Sequence, residues 1–289
     1  MTVKIRQFNE TDPLEKVIIG RAANYAQEPF YIEIINEVQK KGLPKTEDLM
    51  HEFKSFQAVL EAEGIEVLVP EFIGGFVYDQ LTPRDIGVVI GEQFLICNMV
   101  KRSRRYEIAG VLSYLKELNS PIIIPDSPTC LIEGGDIMVD KGHLFVSISQ
   151  RTNWEGIEFL SNNFGEEFKV VPILAKSLDE GEDVLHLDCM FNPIGKQHAL
   201  IYEAGFEEVP QEIRELYIWI CVDKLQQAAL ATNVLSLTPE KLISRAHQDC
   251  TVVNEQIRNA GIKVITLPFD GAPSTGGSFR CCSMPLYRK

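Results

Sequence analysis

The sequence predicts an α/β protein built as a five-bladed, pseudo-symmetric propeller, with residues 1–289 forming one domain. Two observations carry the prediction. Five polar residues, Asp85, Glu133, His186, Asn233 and Cys281, lie 48, 53, 47 and 48 residues apart, and a period of roughly 20 to 50 residues is the mark of stacked or radially arranged units. Around these residues, strand, helix and strand patterns recur at the same interval. If each unit holds the same place about a common axis, the five polar residues point at one centre.

Taken in order, Glu15–Gly20 reads as a strand, Glu47–Glu63 as a helix and the run from Ile65 as a second strand. Asp85, Glu133 and His186 each open an apolar run, a short polar turn and a second apolar run, the pattern of a hairpin. A helix at Arg105–Leu118 separates the first hairpin from the strand Pro121–Pro125, and one at Trp154–Asn163 separates the second from Phe168–Ile173. Gln211–Leu216 reads as a short helix before Tyr217–Val222. Asn233 breaks the pattern, since Pro239–Ala260 reads as one long helix before Ile262–Leu267.

Composition excludes several classes of function. A formal net charge of −13 and a pI near 4.9 argue against nucleic acid, because phosphate binding needs clustered Lys and Arg. The one basic cluster, Lys101–Arg105, reads as a solvated loop leading into a helix. The N-terminus lacks the apolar core of a signal peptide, and no run approaches the roughly 18 apolar residues of a membrane span. Seven cysteines, an odd number in a large acidic chain, fit reduced thiols. Cytoplasmic residence is therefore expected, and the sequence leaves a homo-oligomer open.

The residues with chemistry cluster at the ends of the repeat. Ser274–Ser278 is a small-residue loop that leads into Arg280-Cys281-Cys282, and glycines before a nucleophile let backbone and substrate approach closely. No Lys follows those glycines, so a phosphate loop is a poor reading. Adjacent cysteines on a strand face opposite ways, and the period favours Cys281 over Cys282. His186 and Asp188, two apart, are expected to share a strand face. A cysteine and a histidine brought together from distant positions suit covalent thiol catalysis. Zinc held by His186, Cys189 and Cys281 is the alternative, without paired Cys-x-x-Cys spacing to support it.

Asp85, Glu133, Asp136 and Asp188 would raise a nearby thiol's pKa and suppress the thiolate. The arrangement becomes workable if the substrate is a cation, and a guanidinium forks onto carboxylates bidentately. For Asp85 or Asp136 alone, a turn cap is an equally good reading.

Together, the stretches Asp12–Ala22, "PRDIGVVIG", "RSRRYE", "EGGD", "HLDCMFNPIG" and "GGSFRCCSMPL" resemble the amidinotransferase branch of the guanidine-modifying, pentein-fold superfamily over nearly the whole chain. The resemblance implies a five-bladed α/β propeller and an arginine-dependent amidinotransferase that needs no metal or organic cofactor. By motif, Cys281 resembles the nucleophile, His186 the general acid and base, and Glu133 its acidic partner. Asp85 and Asp188 resemble the guanidinium-binding carboxylates, with Asp136 and Asn233 expected beside the substrate. The implied partners are L-arginine and an acceptor amine. "EGGD" and "RCCSMPL" also resemble arginine deiminases, which makes a guanidino hydrolase the alternative. Arg151 resembles the deiminase arginine that binds the substrate carboxylate, and a surface arginine capping the next helix is the plainer reading.

Overall fold

A computed structural model describes residues 4–23, 44–74, 77, 79–182 and 184–289. Its described residues form five three-stranded sheets of one design. Strands β1 (Leu14–Ile19) and β2 (Glu66–Leu68) run parallel, joined through the helix Thr46–Ala62. That helix buries Leu49, Phe53, Phe56 and Leu60, a single stripe at helical spacing.

Each later sheet opens with an antiparallel hairpin and adds a third strand parallel to the second. The sets are β3 (Gly87–Ile90), β4 (Gln93–Ile96) and β5 (Ile122–Ile123), then β6 (Ile137–Asp140), β7 (His143–Ile148) and β8 (Lys169–Leu174). They continue with β9 (Phe191–Ile194), β10 (His198–Ile201) and β11 (Ile218–Cys221), and β12 (Leu235–Thr238), β13 (Lys241–Arg245) and β14 (Lys263–Leu267). The last strand, β15 (Ser283–Arg288), returns to pair antiparallel with β1. The C-terminal strand thereby supplies the missing hairpin partner of the first sheet and closes the five-bladed propeller.

Burial orders the strands from the axis outward. Every residue of β3, β6 and β9 is buried, while β8, β11 and β14 alternate with exposed positions. A strand covered on both faces reads as a continuous apolar run, and one with a wet face alternates. The turn joining β6 to β7 shows how tightly the hairpins are made: Lys141 and Gly142 both have positive φ, 49° and 72°, as a two-residue turn matched to strand twist requires.

One element assignment from the sequence is corrected. Pro239–Ala260 is not one helix: β12 and β13 form a hairpin around Pro239-Glu240, and the helix spans only Thr251–Asn259. Leu235, Leu237, Leu242 and Ile243 are all buried, so tertiary burial sets strand conformation where local pattern suggested helix. The fourth unit thus matches the others. The helix read at Arg105–Leu118 is present as a 3₁₀ helix, Arg102–Val111, continued by a short α-helix, Leu112–Lys116.

Candidate active site

The five periodic residues sit on the short segments that feed the innermost strand of each unit. Asp85 lies in the helical turn Pro83–Ile86 before β3. Glu133 precedes the 3₁₀ turn Gly134–Asp136 before β6, and His186 precedes the turn Leu187–Cys189 before β9. Asn233 and Cys281 stand just ahead of β12 and β15. All five are buried, at 3% exposure or less.

Glu133 and His186 meet at the centre, with Glu133 Oε2 2.9 Å from His186 Nε2. Asp85 Oδ1 approaches the other ring nitrogen, Nδ1, at 3.8 Å. Gly134 and Gly135 make this packing workable, since a Cβ on Gly134 would come within 2.1 Å of the Arg84 carbonyl oxygen and one on Gly135 within 2.7 Å of His186 Nδ1. Burial disfavours the imidazolium, but the carboxylates of Asp85, Asp136 and Glu133 overcome it and raise the His186 pKa. Burial likewise raises Glu133, and the hydrogen bond to His186 with the charges of His186, Arg151 and Arg104 outweighs it, holding the carboxyl below its usual range. A charged imidazolium is the form that can donate a proton.

Cys281 faces Asp188, its thiol donating to Oδ2 at 3.2 Å. Asn233 Nδ2 lies 3.0 Å from the sulfur, and Asn233 Oδ1 accepts from the backbone N–H groups of Ser278 and Cys281. Asn233 therefore shapes the loop that carries the thiol. Gly277 packs where a Cβ would meet Cys281 Cβ at 3.1 Å. Burial first, then the charges of Asp188 and Asp85, push the Cys281 thiol well above its ordinary range.

The local geometry departs from the strand arguments in two places. His186 and Asp188 do not share a strand face: the intervening residues turn as a 3₁₀ helix, which sends His186 to Glu133 and Asp188 to Cys281 and Arg280. Cys281 and Cys282 lie in a turn before β15, and Cys282 packs in the cluster of Phe53, Phe56, Phe269 and Phe279.

Asp136 is held by the scaffold. It accepts from Ser147 Oγ, Ser149 Oγ, Thr152 Oγ1 and the Leu187 N–H, so both oxygens are taken up in fixing the turn that presents His186. Burial raises its pKa to about 6, with the serine and threonine hydrogen bonds and His186 opposing. Arg151 does not cap the following helix, a task done by Asn153 Oδ1. Its Nη1 lies 3.3 Å from Glu133 Oε1, and its side chain is 11% exposed.

Several site residues escaped the sequence reading. Arg280, next to Cys281, is buried and donates to Asp188 Oδ2 at 3.0 Å and to Glu10 Oε1 at 3.0 Å. Arg104 donates to Asp85 Oδ2 at 2.8 Å. Lys101 feels the charges of Arg151, Arg104 and Glu133, and burial first, then the two arginines, lower its pKa. Lys101 and Arg104 of the basic cluster are therefore part of the site's electrostatics, and the adjacent Arg-Cys and "RSRRYE" motifs were the available signals. Asp85, Glu133 and His186 each place one ligand atom within 4.8 Å of the others, a spacing that could hold a metal ion. Arg104 and Arg151 already bring positive charge to two of those three groups, which opposes a divalent cation there.

Among the described residues, no helix is long and apolar enough to cross a membrane. A family model described as "N,N dimethylarginine dimethylhydrolase, eukaryotic" matches residues 29–288. The chain is 31% identical to uncharacterized protein YkgA of Bacillus subtilis, across 96% of this chain and 94% of that protein. It is 23% identical to mitochondrial glycine amidinotransferase of Gallus gallus, across 98% of this chain and 82% of that one. Among solved structures, SxtG, an amidinotransferase from Microseira wollei in the saxitoxin biosynthetic pathway, superimposes with a TM-score of 0.84 at 21% identity, covering 99% of this chain and 97% of SxtG.

Proposed function

Since this chain belongs to the guanidine-modifying, pentein-fold family matched by the N,N dimethylarginine dimethylhydrolase model, we propose that it moves the amidino group of L-arginine to an acceptor amine through a covalent amidino-cysteine. The observation that carries the reading is the buried Cys281 thiol beside Asp188, with Asp85 Oδ1, which accepts no hydrogen bond, nearby at His186. Two carboxylates around a suppressed thiol call for a cation. A guanidinium bound between Asp188 and Asp85 offsets their charge at the sulfur and favours the thiolate.

As the cation binds, the thiol proton is released to solvent, since His186 is already protonated, and the Cys281 thiolate attacks the guanidino carbon. His186, held charged by Asp85, Asp136 and Glu133, gives its proton to the departing nitrogen as that C–N bond breaks, and ornithine leaves. The neutral His186 then takes a proton from the incoming amine. The amine nitrogen bonds the amidino carbon, the C–S bond breaks, and the thiolate is restored. Arg151 and Lys101 put positive charge beside Glu133, where a substrate carboxylate is best received.

A second reading is favoured by the dimethylhydrolase description of the matching model and by "EGGD": a terminal guanidino nitrogen leaves first as ammonia, the Cys281 intermediate keeps the ornithine part, and water then breaks the C–S bond to give citrulline. Incubation with L-arginine alone, then with glycine or lysine, separates the two. Ornithine and an amidino-amine that appear only with the amine support transfer; citrulline and ammonia formed without any amine overturn it in favour of hydrolysis.

A further inference from the structure

The "RSRRYE" motif places Arg104 and Glu107 three residues apart on the 3₁₀ helix Arg102–Val111. Three residues per turn brings positions i and i+3 into line, so the two side chains pair on one face. Arg104 Nε and Nη2 donate to the Glu107 oxygens at 2.7 and 3.0 Å. Nη2 also donates to Thr82 Oγ1 at 2.8 Å and to the Thr82 carbonyl at 3.3 Å. The remaining arm, Nη1, donates to Asp85 Oδ2 at 2.8 Å. Arg104, Glu107 and Asp85 are 7%, 2% and 3% exposed, so this guanidinium cannot swing toward a ligand without breaking a buried fork.

The consequence falls on Asp85. One of its oxygens is occupied, and the other, Oδ1, is buried without a hydrogen-bond partner. Buried acceptors of this kind are rare and costly. Oδ1 lies 3.8 Å from His186 Nδ1 and would be 3.0 Å from a Cβ on Gly135, so it opens onto the catalytic centre.

We propose that Arg104 is a positioning residue that pins Asp85 through Oδ2, so that Oδ1 alone faces the substrate guanidinium and His186. The proposal rests on the guanidine-modifying reading given above and assigns the part of "RSRRYE" that reading leaves unused. Glu107 and Thr82 hold Arg104, Arg104 holds Asp85, and Asp85 accepts one N–H of the substrate in a fixed direction. The arginine also neutralises part of the Asp85 charge, which limits how strongly that carboxylate acts on the imidazole.

The test is a double-mutant cycle on the full-length protein with R104M, D85N and R104M/D85N. The first readout is the His186 titration by NMR of ¹⁵N-histidine protein. Loss of Arg104 leaves Asp85 unneutralised, so the proton affinity of His186 rises about three- to tenfold, half a unit to one unit. The second is protection of Cys281 from iodoacetamide by L-arginine, followed by peptide mass mapping; the half-protecting concentration rises about tenfold or more. Both effects vanish in the D85N background if Arg104 acts through Asp85. Equal effects in both backgrounds overturn the proposal, as a merely structural arginine gives that pattern. Should R104M fail to fold, R104Q/E107Q removes the orphaned carboxylate and carries the same cycle. If L-arginine does not protect the wild-type protein, the substrate reading fails, while the His186 arm still decides the role of Arg104.

Discussion

Replacing Asp188 by Asn should make Cys281 more reactive and the enzyme less active, an opposition that few other accounts of the site produce. Asp188 Oδ2 stands 3.2 Å from the Cys281 sulfur. A full charge at that distance destabilises the thiolate by about 5 kcal/mol at an effective dielectric constant near 20. Arg280, 3.0 Å from the same oxygen, offsets much of this, which leaves a net effect of about one to two pKa units. Asn keeps the volume and an acceptor but removes the charge. At pH 8, below the raised thiol pKa, alkylation of Cys281 by iodoacetamide should therefore accelerate about 10- to 100-fold, measured by peptide mass mapping against Cys221, which is exposed. Turnover of L-arginine should fall sharply, because the guanidinium loses a charged partner. Breaking a buried pair costs roughly 3 to 5 kcal/mol, so a lowered Tm is expected as well. Alkylation that stays unchanged or slows would refute the claim that Asp188 suppresses the thiol.

Cys281→Ala should abolish turnover, whereas Cys282→Ala, which trims a side chain packed against Phe56 and Phe279, should retain most of it; the reverse outcome in a steady-state assay assigns the nucleophile to the wrong cysteine. Gly135→Ala drives a methyl toward His186 Nδ1 and Asp85 Oδ1 and should cut kcat about 10²-fold or more, as misplaced proton-transfer groups do, with normal turnover arguing against a fixed His186. Glu133→Gln tests the buried pair through pH. The raised His186 pKa stabilises the fold fully below 6.5 and loses that contribution as pH rises through its folded value, while the lowered Glu133 pKa stabilises above 4.5 and fails as pH falls through its folded value. The Tm difference between wild type and Glu133→Gln should thus be largest between 4.5 and 6.5, and a difference that does not vary with pH contradicts the coupling.

The repeat was readable because polar residues at the innermost strand entries must recur once per blade, and Asp85, Glu133, His186, Asn233 and Cys281 do. The hairpin after Asn233 was not, since its residues carry helix-compatible spacing and only burial of Leu235, Leu237 and Ile243 against the neighbouring blade decides for strand. Asp188 was legible as a carboxylate near the thiol, but its direction depends on a 3₁₀ turn that strand periodicity does not anticipate. Asp136 and Asp188 look alike in sequence, yet one is filled by Ser147, Ser149 and Thr152 and the other faces Cys281. The supporting arginines were hidden for a related reason. Arg280 pairs only with carboxylates distant in sequence, Glu10 and Asp188, and although Arg104 has Glu107 three residues on in "RSRRYE", its link to the site runs through the distant Asp85.

The most direct measurement is intact and peptide mass spectrometry of the wild-type protein quenched during reaction with L-arginine. An amidino group on the Cys281 peptide, with ornithine released in equal amount and the adduct discharged by an added amine, is the predicted result. No adduct on Cys281 under conditions where arginine is consumed, or an adduct on another residue, would contradict it.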